Sequence, residues 1–239
     1  MVQKTIPTPC QQPLEATGAT EDGWLLALDT ATDQAGIALF DGVRITELSW
    51  PAGRRQTVAM LPAIEWLMAS SEVSLDEVAA IGVAIGPGTF TGLRVGLSIA
   101  KGMAALSDRA IVGIPTIAVA AEPYGSSDTP VLVTLPAGRG RVVWAVKEIG
   151  EEIGAPVNAS LDELEAVLAE HPEYLLAGEL LPDQRQRLQA VHVRTAPITA
   201  GVRRPSSLAN LAWARWRRGE VDDPVAIEPV YLHGRSGGR

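Results

Sequence analysis

The chain is poor in the residues that side-chain chemistry usually relies on. It has a single cysteine, Cys10, in 239 residues, which excludes an internal disulfide and fits a reducing compartment such as the cytosol. Its three histidines, His171, His192 and His233, are too scattered for an H-x-x-x-H pair on one helix, so they read as surface or loop residues and no metal site is expected. No G-x-S-x-G segment joins an expected strand to an expected helix, which removes the nucleophile elbow of serine hydrolases. No apolar run approaches the roughly 20 residues of a membrane-spanning helix. The net charge of −8 argues against tight, autonomous nucleic-acid binding, where neutralising phosphates dominates affinity. A cytoplasmic location is expected, with no membrane partner.

The most informative stretch is Gly86-Pro87-Gly88-Thr89-Phe90-Thr91-Gly92-Leu93-Arg94-Val95-Gly96. It follows the apolar run Ala80–Ile85, which reads as a buried strand, and leads into Leu93–Leu106, whose apolar residues recur at helical spacing. A glycine-rich turn between strand and helix is where α/β proteins often seat anions against free helix N–H groups. It is not a P-loop, because no Gly-Lys-Ser/Thr follows. It is not a dinucleotide fingerprint either, since its glycines are spaced G-x-G-x-x-x-G. Along the helix that follows, Gly92, Gly96, Ala100 and Ala104 form a stripe of small residues on one face. An interior glycine costs about 1 kcal/mol relative to alanine, so Gly96 and Gly102 call for a packing reason. Two remain open: close packing of the helix on its own sheet, or contact with another subunit, including a second copy in a homodimer.

Charge is unevenly spread. From Arg194 to Arg239, eight arginines face four acids, a net of +4, leaving −12 for the rest. Arg203, Arg204, Arg215, Arg217 and Arg218 flank or lie on a helix expected over Ser206–Arg218, where they read as a solvated helix face or a secondary surface for tRNA. Met1–Asp22, with Pro7, Pro9 and Pro13, has no apolar core like that of a signal peptide and is expected to be a disordered extension.

From Trp24 the pattern gives strands at Leu25–Asp29, Ala35–Phe40 and Arg44–Trp50, with Asp41-Gly42 as a hairpin turn. A helix over Gln56–Ala69, kinked at Pro62, comes next. After the central motif, strands are expected at Ala110–Ile114, Val131–Leu135, Val142–Glu148 and Tyr174–Ala177, and a helix at Ser160–Ala169, with Ser160 as N-cap. Strands followed by alternating helices and strands imply an α/β chain with mixed sheets covered by helices. The expected division is residues 1–22 as tail, 23–118 as a first lobe and 119–239 as a second lobe carrying a C-terminal helix.

Gly86–Gly96 resembles the G-P-G-[ST]-F-T-G-[LVI]-R-[IV]-G signature of the TsaB (YeaZ) family, subunits of tRNA threonylcarbamoyladenosine biosynthesis. Leu26–Thr32 resembles the opening strand of that family, Leu61-Pro62 its first-helix pair, and Pro229–Leu232 its closing P-V-Y-L. The resemblance runs from about Trp24 to His233, with His233 and Gln56 departing from the family's usual Arg and His. It implies a two-lobed actin-like, sugar-kinase-like (ribonuclease H-like) fold. It also implies a non-catalytic subunit that holds a TsaD-type transferase, alongside a TsaE-type ATPase. The complex would modify the adenosine 3′ to the anticodon in tRNAs reading codons that begin with A, with tRNA as its substrate. ATP and Mg²⁺ would serve the wider complex and not this chain alone.

The resemblance places the partner interface on Gln56–Ala69 and Gly92–Leu106, with Leu61, Ile64, Met68, Leu93, Leu97, Ala100 and Lys101 as its expected residues. In nucleotide-binding members of the superfamily, carboxylates in both lobes position Mg²⁺. Here Asp29 and Thr30 read as a vestigial phosphate site. Pro136–Val143 lacks the acid, the paired Arg and the Glu of the family's D-A-R-x-G-E-V-Y, which leaves Asp29 without a second carboxylate. The alternative is a Mg²⁺-dependent nucleotide-binding or phosphotransfer protein built on Asp29 and the Gly86–Gly92 turn.

Overall fold

In the computed structural model, which describes residues 23–53, 56–107, 109–191 and 193–232, two sheets are flanked by helices. The expected tail, with Cys10, and His192 and His233 lie outside the described residues.

The first sheet starts as a meander of β1 (Trp24–Asp29), β2 (Gln34–Phe40) and β3 (Ile45–Pro51). Its β2–β3 turn forms as the Asp41-Gly42 signal predicts. Asp41 Oδ1 accepts the Val43 and Arg44 N–H groups at 3.0 and 2.6 Å, and Gly42 takes a φ of 92° that a side chain would resist. Two parallel strands, β4 (Val78–Gly86) and β5 (Ala110–Pro115), complete the order β3-β2-β1-β4-β5. With β1 central and buried along its whole length, this sheet needs cover on both faces.

One face carries α1 (Gln56–Ser70) and α2 (Phe90–Ser107) over a core that includes Leu26, Leu28, Ile37, Met60, Leu67 and Ile81. The first helix runs on through Pro62 without a break. The other face carries α3 (Thr116–Ala121) and α6 (Pro205–Arg217), whose Leu208, Ala209 and Ala212 pack with Leu25, Ala27 and Ala80. The helix that the sequence pattern groups with the second lobe therefore lies against the first sheet, because its small residues allow close approach to β1 and β4.

The second sheet has the order β8-β7-β6-β9, from β6 (Val131–Ala137), β7 (Arg141–Lys147), β8 (Val157–Ala159) and β9 (Leu175–Gly178). On one face it packs α4 (Leu161–Glu170) and α5 (Pro182–Ala190) through Leu164, Leu168 and Leu188. Ser160 caps α4 as expected: its Oγ accepts the Glu163 N–H at 3.2 Å, and the Glu163 carboxylate accepts the Ser160 N–H at 2.6 Å. Six-residue α3 spans the two cores, giving Val119 to the first and Ile117, Ala120 and Ala121 to the second.

Candidate functional site

Between the sheets, the ends of β1 and β9 face each other, and a buried cluster of charge joins them. Asp29 ends β1. Its Oδ1 accepts the Ala31 N–H at 2.9 Å, the turn-holding role its sequence context suggests. Its larger commitment is to Arg203, from the segment that leads into α6. Arg203 Nε donates to Asp29 Oδ2 at 2.7 Å and Nη2 donates to Oδ1 at 3.1 Å. Arg203 Nη1 also pairs with Glu179, which directly follows β9. Thr32 Oγ1 donates to Glu179 Oε2 at 2.8 Å and accepts from both Arg203 Nη atoms at 3.3 Å.

Two sequence expectations change here. Asp29 does have a second carboxylate nearby; it comes from the end of β9 and not from the β6–β7 hairpin. Arg203 is no part of a solvated helix face: its side chain is 2% exposed. Its neighbours are largely paired as well, Arg204 with Glu47, Arg215 with Glu220 and Asp222, and Arg218 with Glu220.

Burial works against the charge of each member of this cluster. For Arg203, the fields of Asp29 and Glu179 outweigh that cost and its pKa rises. For Glu179, desolvation prevails over the pull of Arg203 and the Thr32 hydrogen bond, so its carboxyl titrates above the ordinary range. A bidentate guanidinium on Asp29 fills the oxygens that a hydrated Mg²⁺ would need. Among the described residues, no group of three or more His, Cys, Asp or Glu is placed to hold a metal ion.

Above the cluster, a cleft of about 460 Å³ opens between the sheets, lined from one side by Thr32, Gln34 and Pro51 and from the other by the β6–β7 turn and the Gly178–Leu181 segment.

Three N–H groups of the Gly86–Gly92 turn are committed to acceptors within the chain. Gly86 N–H donates to Thr116 Oγ1 at 3.1 Å, Thr89 N–H to the Ala31 carbonyl at 2.7 Å and Gly92 N–H to Thr89 Oγ1 at 3.2 Å. A Cβ at Gly88 would collide with the Ala31 carbonyl. The turn thus clasps the Asp29–Thr32 loop, and the Gly86–Pro87 peptide bond is cis. Thr30 serves the same clasp, since its buried Oγ1 donates to the Gly92 carbonyl at 2.7 Å. Pro87 and Gly92 are buried, while Thr89, Phe90, Thr91 and Arg94 stand at the surface.

The small-residue stripe also resolves. Gly92, Gly96, Ala100 and Ala104 are buried against the chain's own sheet, and a Cβ at Gly96 would strike Thr30 Oγ1. The stripe packs internally and offers no face to another subunit. For the same reason Ile64, Leu93, Leu97 and Ala100 lie in the core and cannot serve an interface. Of the expected interface residues, Leu61 is 59% exposed, Met68 and Lys101 are half-buried, and Lys101 Nζ donates to the Val225 carbonyl at 3.2 Å.

The exposed large apolar side chains of α1 and α2 are Val58, Leu61, Trp66, Phe90 and, near the far end of α2, Leu106. Between the helices Leu61, Phe90, Thr91 and Arg94 line a shallow groove of about 420 Å³. Arg94 lies over the Phe90 ring at 3.7 Å, Phe90 stacks on Tyr231 at 5.5 Å, and Arg94 Nε donates to Tyr231 Oη at 3.3 Å. The motif's surface residues and the closing segment thus form one cluster, tied down by Val230 N–H donating to the Ile85 carbonyl at 2.7 Å.

These features define a two-lobed α/β protein of the actin-like class, with its interlobe carboxylate neutralised from within. Residues 51–199 match the family model for TsaD, tRNA N6-adenosine threonylcarbamoyltransferase. The tRNA threonylcarbamoyladenosine biosynthesis protein TsaB of Escherichia coli (strain K12) is 32% identical over 123 residues, 51% of this chain and 53% of that protein. The TsaB of Bacillus subtilis (strain 168) is 26% identical over 217 residues, 87% of this chain and 93% of that protein. Among solved structures, YeaZ from Pseudomonas aeruginosa superimposes with a TM-score of 0.72 at 23% identity, over 88% of this chain and 100% of that one. The chain belongs to the TsaB/YeaZ family. It spans about half the length of the first curated relatives it matches. No helix among the described residues is long and apolar enough to cross a membrane.

Proposed function

We propose that this chain is a subunit without catalytic activity of its own in cytoplasmic tRNA threonylcarbamoyladenosine synthesis, where it binds and activates a TsaD-type transferase. The observation that carries the reading is the Arg203–Asp29 pair. Asp29, the acid that stands where nucleotide-binding members of the superfamily hold Mg²⁺, is committed to an internal guanidinium. Metal and ATP then belong to the wider complex, through the transferase and a TsaE-type ATPase, and tRNA enters as substrate of that assembly. The exposed apolar strip on α1 and the groove beside α2 supply the surface for the transferase. The relatives' name and the match to the transferase model support this assignment.

The test is a pull-down of the full chain with the TsaD-type protein of the same organism, followed by size-exclusion chromatography. A stoichiometric complex is expected, and deletion of the gene should abolish threonylcarbamoyladenosine in tRNA. Unchanged modification in a clean deletion would overturn the assignment.

A further inference from the structure

Asp29, Thr30, Ala31 and Thr32 carry the chain out of β1; all four are buried, and they divide their bonds by position. The outer two face the interlobe cluster: Asp29 holds Arg203, and Thr32 Oγ1 donates to Glu179 Oε2 at 2.8 Å. The inner two face the start of α2. Thr30 Oγ1 donates to the Gly92 carbonyl at 2.7 Å, and the Ala31 carbonyl accepts the Thr89 N–H at 2.7 Å. There is no slack between the two sides. A Cβ at Gly88 would collide with the Ala31 carbonyl, and one at Gly96 with Thr30 Oγ1. A segment packed this closely transmits a displacement and does not absorb it.

A second connection reaches the same end of α2. In the closing segment, three consecutive residues have three separate attachments. Val230 N–H donates to the Ile85 carbonyl of β4 at 2.7 Å. Tyr231 stacks on Phe90 and accepts from Arg94 Nε at 3.3 Å. The Leu232 carbonyl accepts from Asn158 Nδ2 of β8 at 3.1 Å, and the Leu232 side chain packs against the core of the second sheet. The Phe90 end of α2 is thus tied to the second lobe twice, through Glu179 and the loop of residues 29–32, and through Leu232.

We propose that the interlobe junction and the exposed Phe90–Arg94–Tyr231 cluster form one coupled unit, in which Glu179 positions the start of α2 from the opposite lobe. Loosening the junction loosens that end of the helix. Coupling between two places is reciprocal, so whatever holds Phe90 and Tyr231 also stiffens the junction. The groove that Phe90 and Arg94 line then takes its shape from a buried carboxylate that never reaches it. The contiguous run of hydrogen-bonded and packed groups from Glu179 to Gly92 is the physical carrier of that coupling.

The test is native-state amide hydrogen exchange of the isolated full chain, read residue by residue by NMR. Local openings set such rates wherever they are easier than global unfolding. In Glu179→Leu the Thr89 and Gly92 amides should exchange at least tenfold faster, although they lie in the other lobe. The Leu164 and Leu168 amides of α4, in the same lobe as the change, should keep the parent rates. A purely structural loss would instead raise the rates in both lobes together. Glu179→Gln retains an oxygen for the Thr32 hydroxyl and should bring Thr89 back to within threefold of the parent. In the reverse direction, Phe90→Ala should speed exchange of the Glu179 amide, which donates to the Thr134 carbonyl at 2.9 Å, at least threefold. Thr32→Val, which removes a single hydroxyl, makes the same comparison should Glu179→Leu fail to fold. The proposal is overturned by parent rates at Thr89 and Gly92 in these variants, by a uniform rise across both lobes, or by an unmoved Glu179 amide in Phe90→Ala. None of these readouts involves the transferase partner, so failure here leaves the subunit assignment untouched.

Discussion

Arg203 grips both carboxylate oxygens of Asp29, at 2.7 and 3.1 Å, across 174 positions of sequence. Removing one partner of a buried ion pair leaves an uncompensated charge, at a cost of about 3–5 kcal/mol. In Arg203→Met two carboxylates lose their common cation, so urea unfolding should place the variant that far below the parent. Asp29→Asn retains hydrogen-bond acceptance toward Ala31 and should lose less. A loss under about 1 kcal/mol in Arg203→Met would mean that the cluster is open to water and that the junction is held by apolar contacts alone.

Glu179 gives that junction a pH signature. Burial raises its folded pKa above the ordinary carboxylate value, against the opposing pull of Arg203. The folded state therefore holds the proton more tightly than the unfolded chain does. Its contribution to stability is complete below the unfolded pKa and is lost as pH rises through the folded one. The expected readout is a decline in unfolding free energy as pH rises above the ordinary carboxylate range, absent in Glu179→Gln. A parallel decline in both proteins would assign it to other groups.

How much of this was legible in sequence follows from the range of the forces involved. The strand–turn–helix at Gly86–Gly96 and the cap at Ser160 are local, and local pattern finds them. The partners of the turn, Ala31 and Val230, lie far away in sequence, so its role as a clasp was invisible and a phosphate site remained a fair reading. Arg203 and Arg204 are adjacent and identical in type, yet one is buried and the other pairs with Glu47 at the surface. Nothing in their immediate context separates them. Glu179 offered a faint signal, an acid straight after a strand that ends in glycine. The helix α3 is too short to show a period, and α5 buries only Gln184 and Leu188, so it carries no apolar stripe.

Gly96→Leu tests whether the small-residue stripe is internal. A side chain at Gly96 must displace Thr30 Oγ1 and break its 2.7 Å bond to the Gly92 carbonyl. Overpacking of this kind costs about 1–3 kcal/mol or more. The expected result is a lower unfolding midpoint with unchanged oligomeric state by light scattering. Loss of a dimer at full stability would return the stripe to an intersubunit role.

Two leucines on neighbouring helices separate surface from core. Leu61 on α1 is 59% exposed, and Leu97 on α2 is 5% exposed. The carboxylate of Leu61→Asp stays in water, so stability should change by no more than about 0.5 kcal/mol. The same substitution at Leu97 buries an unpaired charge and should prevent folding. If the transferase docks on the strip that contains Leu61, Leu61→Asp should keep its circular dichroism spectrum and unfolding midpoint and yet weaken the complex at least tenfold. Binding at full strength by a folded Leu61→Asp chain would move the docking surface off this part of α1. Phe90 and Arg94, across the groove on α2, would then be the next positions to change, because their cluster with Tyr231 is the other exposed apolar feature bordering that groove.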